Sequence, residues 1–389
     1  MRLRLGKYIY APIKIEKFDW LLIIGLTLAP MVALRVWKVG PGEVLCLLWG
    51  LKSLRRGKIS SSNLSRFAVS FIAALLMGSL CGYIIAPEEL DKFGVFTWIY
   101  LLGIAVLIFE GLRDNTLAYN EKLLSVFARV SAIWYLFLYV YSITVSRNLF
   151  GVSLWFGGGR FTGGGRNPHQ VAVFFTGMSF VLLRKVLKKE DPITNLFLCL
   201  ISWFLLWQTD SSTGKMSVAV GLFVMLYLNL IEAYPHQKFG LTVAMVSFAF
   251  VVVVLGFPIW MRLFLNWVGS DENGMGRFEI FATFPAAIIK SPIFGLGPGT
   301  HAVYGTYEFH NTYLDILAAT GLVGVLIFAI HSLRVFRRVL KADWSLFPIV
   351  VTLYAYGLAG FAMRRLIYWG LMAFVLALAQ QQGRSIVKK

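Results

Sequence analysis

The chain has 389 residues, 58% of them hydrophobic and 14% charged, and its mean hydropathy is +0.71. Soluble domains average roughly 25% charged residues, so this composition excludes a soluble enzyme and predicts an all-α integral membrane protein. The 37 Lys and Arg exceed the 19 Asp and Glu by a net +18 with no soluble basic domain to carry them. A nucleic-acid partner is therefore excluded, and membrane topology with anionic headgroups accounts for the charge.

Apolar runs lie near 19–35, 40–54, 67–86, 96–112, 124–144, 169–187, 193–209, 214–233, 239–259, 311–333, 344–361 and 366–381. Each approaches the roughly 20 residues a helix needs to cross a hydrocarbon core. They predict about 12 transmembrane helices in one polytopic domain, 1–389. The first has a basic leader but no small-residue cleavage site after it, so it is expected to stay in place. With the N-terminus inside, the inner segments hold 24 Lys and Arg and the outer loops 12, which predicts that both termini are cytoplasmic. Glu110 and Arg129, near the inner ends of spans four and five, are expected to pair. Cys46, Cys81 and Cys199 fall inside spans and indicate neither disulfides nor a metal cluster. His236 and His331 fall on the inner side and are set aside.

Two outer loops stand out, 145–168 and 260–310. The first carries GGGRFTGGGRNP at 157–168, which reads either as a flexible linker or as a phosphate cradle. In the second reading glycines admit backbone N–H groups to the anion while Arg160 and Arg166 supply forked donors. Lys215, in SSTGK at 211–215, is placed to reach the same phosphates. That segment lacks the Gly-x-x-x-x-Gly-Lys of a nucleotide-binding loop and its βαβ setting, so nucleotide hydrolysis is excluded.

The larger loop has a helix-like apolar face of Phe278, Ile280, Phe281, Phe284, Ile288 and Ile289 between Arg277 and Lys290, which predicts a helix lying on the membrane surface. Ser291-Pro292 ends it, and Gly295, Gly297, Pro298 and Gly299 make a tight turn. His310-Asn311 then opens the tenth span, followed nine residues later by Gly321-x-x-Gly324. His310 can be a simple interfacial cap, but outer loops are normally cleared of basic residues, and here they keep Arg160, Arg166, Lys215, Arg277, Arg364 and Arg365. That company points to an anionic, lipid-borne ligand. Arg364 and Arg365 serve it too, or else snorkel to headgroups or pair with Asp315. His169 and His301 are possible further contacts that read more simply as cap and loop residues. The outer carboxylates, Glu88, Glu89, Asp91, Asp210, Asp271 and Glu272, show no metal-ligand spacing, so no metal and no cofactor is expected.

Arg277 in GRFEIF, the SPIFGLGPGT turn at 291–300 and His310-Asn311-x9-Gly321-x-x-Gly324 in HNTYLDILAATGLVG resemble the O-antigen ligase superfamily of bacterial membrane glycosyltransferases. Upstream of about residue 150 the resemblance is topological only. It implies transfer of an O-antigen glycan from undecaprenyl diphosphate to a sugar hydroxyl of lipid A–core, on the periplasmic face of the inner membrane, with inversion and without metal or nucleotide sugar. By position, His310 matches the motif histidine proposed as base and Arg277 the arginine of the large loop. Arg160 and Arg166 are both candidates for the other external arginine, and Asn311 follows the histidine in the motif.

The chemistry fits those residue types. Cleavage at the anomeric carbon leaves charge on a diphosphate, which guanidiniums stabilise more in the transition state than in the ground state. The attacking hydroxyl must lose a proton, which a neutral imidazole can take. The nearest rival is a polysaccharide polymerase of the same superfamily, whose acceptor is a second lipid-linked glycan; such enzymes often show two comparable outer loops, whereas 260–310 dominates here. A protein-glycosylating ligase is a third reading. From another class, a lipid-glycan transporter would show repeated halves and helices broken at the midplane. No repeat is visible, and the polar residues gather at one surface.

Overall fold

The structure is a computed structural model that describes residues 14–36, 39–54, 62–157, 159–255, 284–299 and 309–387. Its helices in chain order are α1 (Trp20–Leu28), α2 (Pro41–Leu54), α3 (Asn63–Ile85), α4 (Lys92–Arg113), α5 (Leu117–Thr144), α6 (Pro168–Leu187), α7 (Pro192–Gln208), α8 (Ser212–Ala233) and α9 (Lys238–Leu255). A helical turn at 284–290, α10, is followed by α11 (Thr312–Ala342), α12 (Phe347–Gly357) and α13 (Leu366–Val387). Short polar residues start several of them by taking an otherwise unsatisfied N–H of the first turn. Ser62 caps α3, Thr116 α5, Asn167 α6 and Ser211 α8.

Among the described residues six helices, α3, α4, α5, α6, α8 and α11, are long and apolar enough to cross a membrane by length and composition. The expected spans 19–35 and 344–361 each combine a shorter helix with a 3-10 turn. The 19–35 stretch holds a nine-residue α1 that ends before Pro30 and a 3-10 turn at Val32–Leu34. At 1.5 Å per residue α1 is roughly 14 Å long, half of a hydrocarbon core. The 344–361 stretch holds a 3-10 turn and the 11-residue α12.

The interior is built on α6 and α13. Leu371, Ala373, Phe374, Val375, Ala377 and Leu378 of α13 and Val171 through Phe175 of α6 are buried on every side. A helix apolar all round must be enclosed by others, and α7, α8, α4 and α5 pack against this pair.

The segments grouped as inner by their charge meet at one end of the bundle. There Lys52 pairs with Glu16 at 3.0 Å, and Gln381 donates to the carbonyls of Leu112 and Asn115 at 3.0 and 2.6 Å. Arg184, 1% exposed, is held by Glu121 at 2.5 Å and Asp343 at 2.7 Å and donates to Ser345 at 2.9 Å. Removing one partner of a buried pair strands the other charges, so Arg184→Ala is expected to cost about 3–5 kcal/mol, seen as a lower melting temperature of detergent-purified protein.

The expected Glu110–Arg129 pair does not form. Glu110 pairs with Arg113 one turn along its own helix at 2.8 Å, and Arg129 faces the start of α7, where Asp191 and Asn195 each receive it at 3.0 Å. The three cysteines are free thiols, and no group of metal-ligating side chains occurs among the described residues.

Segments grouped as outer meet at the opposite end. Residues 145–168 form two small antiparallel hairpins there in place of a plain glycine loop, Asn148–Leu149 with Val152–Ser153 and Trp155–Phe156 with Arg160–Phe161. Their glycine-rich end docks on the chain after α1, where Ala33 donates to the Gly164 carbonyl at 3.2 Å.

Candidate active site at the start of α11

α11 is not one continuous helix. Gly321 sits at φ 62°, ψ −164°, a conformation essentially reserved to glycine, and divides it into 312–320 and 322–342. In an unbroken helix the N–H groups of Leu322 and Val323 would bond the carbonyls of Ala318 and Ala319. Here the turn after α10 takes both sides of those bonds. Leu322 donates to Pro292 at 2.9 Å and Val323 to Ile293 at 3.1 Å, while Leu296 and Gly297 donate to Ala318 and Ala319 at 2.7 and 3.1 Å. All four backbone groups freed by the break are thus satisfied by residues 292–297, as a non-aqueous interior demands.

Space for this insertion comes from glycines. A Cβ on Gly295 would lie 2.5 Å from the Thr320 nitrogen, and one on Gly78 of α3 would lie 2.5 Å from the Phe294 carbonyl oxygen. The turn returns to the outer end, where Asp91 donates to the Pro298 carbonyl at 2.8 Å. Residues 284–290 therefore run beside the first half of α11, with Ala287 buried against Phe309 and Ala318 and Ile289 exposed, while Phe278, Ile280 and Phe281 of the expected surface helix lie outside the described residues.

The first turn of α11 is pinned to the turn between α12 and α13. Asn311 caps it through Tyr313 and Leu314 and donates its side-chain amide to the Leu358 carbonyl at 2.7 Å. Thr312 donates to Gly360 at 2.6 Å and accepts from the Ala362 N–H at 3.0 Å. This clasp fixes His310, itself at φ 47°, beside Phe361, with ring centroids 5.1 Å apart. The Arg364 guanidinium lies 5.1 Å from the centroid of that same ring, and its Nε is 3.8 Å from the buried carboxylate of Asp315. Residues 310 and 364, distant along the chain, thus share one aromatic neighbour.

A second cluster stands at the same end, around the 209–211 turn. Arg160 donates to the carbonyls of Thr209 and Asp210, each at 3.1 Å. Lys215 pairs with Asp210 at 2.7 Å and lies 4.3 Å over the Trp207 ring. His169 Nδ1 is 3.0 Å from the Ser211 hydroxyl, and its carbonyl accepts from Tyr356 at 2.8 Å. The two clusters are joined where Thr213 donates to Ala359 at 3.2 Å. Arg166 is exposed beside them. Arg365 lies within electrostatic reach of Tyr100 on α4, as does the Arg35–Glu43 ion pair. Arg277 and His301 lie outside the described residues. Phe361, Ser211 and Tyr356 were not legible as site residues, because an aromatic and two hydroxyls carry no motif until the fold sets them beside histidines.

An O-antigen ligase family model matches residues 197–329, from α7 through the break in α11. The matched stretch includes Lys215, Arg277, the 292–297 turn, His310 and Gly321, whereas Arg160, Arg166, His169, Arg364 and Arg365 fall outside it. No curated protein matches the chain. Over residues 197–329 this helical, membrane-type chain is thus similar to the O-antigen ligase family.

Proposed function

We propose that this chain is a glycosyltransferase of the bacterial inner membrane that moves an O-antigen glycan from undecaprenyl diphosphate to a sugar hydroxyl of lipid A–core, with its active site on the periplasmic face. In this reading the acceptor oxygen attacks the anomeric carbon from the face opposite the diphosphate. The carbon–oxygen bond to the diphosphate breaks with its electron pair, the configuration inverts, and His310 takes the acceptor's proton. Arg277 and Arg364 stabilise the charge that develops on the leaving diphosphate, with Arg160, Arg166, Lys215 and Arg365 as further contacts to the donor.

The observation that carries this reading is the Phe361 ring, which has the His310 ring centroid and the Arg364 guanidinium each 5.1 Å from its own centroid. A base and an electrophile held against one ring suit a reaction in which proton loss and leaving-group departure are concerted.

Purified protein supplied with undecaprenyl-diphosphate-linked glycan and lipid A–core is expected to yield glycosylated lipid A–core in the presence of a chelator. Extension of the lipid-linked glycan itself would assign the chain to the polymerases. A requirement for divalent metal would remove the arginines from their role.

The break at Gly321 is the one feature that also suits a transporter, where such breaks expose backbone groups to cargo. Here those groups are already taken by residues 292–297. They are not available to an ion or substrate, which favours the transferase.

A further inference from the structure

We propose that Asp315 is a positioning residue for Arg364, holding its guanidinium at a set place relative to the His310 imidazole; this rests on the transferase reading above.

Asp315 belongs to the same helical turn as the motif, since its N–H donates to the Asn311 carbonyl at 2.9 Å. The residue is 4% exposed and neither carboxylate oxygen reaches solvent. Its Oδ2 faces Arg364 Nε at 3.8 Å. Arg364 packs on Phe361, and Phe361 on His310. The ring is thus a neighbour shared by base and cation, and the carboxylate acts on the cation from the helix whose start adjoins the base. Any shift of the first turn of α11 moves the base and the carboxylate together, so the spacing of imidazole and guanidinium is kept.

Burying a charge in a membrane-type interior is costly unless it is paired, and the Arg364 guanidinium lies within ion-pair distance of this carboxylate. The helix start is already clasped by Asn311 and Thr312. What the pair adds is direction, and a diphosphate that departs with two negative charges gains from a guanidinium that is already aimed.

The test is a double-mutant cycle on the full chain in detergent, with undecaprenyl-diphosphate-linked glycan as donor and lipid A–core as acceptor. Asp315→Asn is expected to lower kcat by about 10–100-fold, the scale of a misplaced catalytic group, with the donor KM changed less than about 3-fold and melting near that of the wild type. Arg364→Gln is expected to lower kcat on its own, and adding Asp315→Asn to it is expected to cost nothing further, because no guanidinium is left to aim. Equal losses on both backgrounds, or a raised KM with kcat unchanged, would overturn the assignment, as would a wild-type kcat in Asp315→Asn. If Asp315→Asn does not accumulate, Asp315→Glu carries the test. It keeps the charge, so retention of more than about a tenth of kcat, the smaller loss above, supports the role, and loss that persists undiminished on the Arg364→Gln background refutes it. An active wild type with an indifferent Asp315 sinks this inference alone; a wild type inactive on lipid A–core and on lipid-linked glycan sinks the transferase reading and this inference with it.

Discussion

Replacing His310 by alanine is expected to lower kcat for glycan transfer by about 10²–10⁴-fold, the usual contribution of a general base. Donor binding is expected to persist, because the diphosphate contacts assigned to arginine and lysine are untouched. The fold should tolerate the change well. His310 lies outside the helix, which starts at Thr312 under its Asn311 cap. Its side chain packs edge-on against one ring and is not enclosed on every side. Its φ of 47° is a mild strain that alanine shares, and asparagine, which tolerates that conformation better, is the control for backbone effects. Two measurements separate the roles: turnover with lipid A–core, and equilibrium binding of labelled lipid-linked glycan. A parallel fall in both would make His310 a binding residue.

The second large effect is on structure. Gly321→Ala is expected to expel the 292–297 turn from α11 and abolish transfer along with it. A Cβ at Gly321 would collide with the Ile293 carbonyl and lie 2.6 Å from the Gly295 nitrogen. The backbone conformation alone penalises a non-glycine residue by about 1–3 kcal/mol. The outcome is decided by what each partner can do afterwards. α11 can heal, since Ala318 and Ala319 regain Leu322 and Val323 as helical partners. The turn has no such refuge and would leave four backbone groups unpaired in an apolar interior. Loss of that turn frees the chain on both sides of it, including the approach to His310. Melting of the purified variant should fall by several degrees, and Gly103→Ala, whose Cβ would meet nothing within 4 Å on α4, should not show this. Wild-type melting and turnover in Gly321→Ala would mean that the exchange of hydrogen bonds carries no function.

Hydropathy located most of the helices because lipid-facing and core-facing residues are alike apolar, so a span announces itself without any partner. It misjudged ends for the same reason. α11 continues to Ala342 past the expected end at 333, because Arg334, Arg337 and Lys341 are poor in apolar character yet good helix formers. α1 stops at Leu28 inside an apolar run, where Pro30 lacks the N–H that would carry the helix on. The apolar face before Lys290 was legible as a helix, and its described part, 284–290, is helical with Ala287 buried against α11.

By itself the sequence determined the membrane class, the motif from His310 to Gly324 and the concentration of cations in segments that meet at one end of the bundle, since each depends on composition or on spacing along one helix. Only the tertiary structure decided that His310 and Arg364 share Phe361 as a neighbour and that Asp315 lies beside Arg364. That meeting is settled by the hydrogen bonds of Asn311 and Thr312 to residues almost fifty positions away, which no spacing along the chain announces.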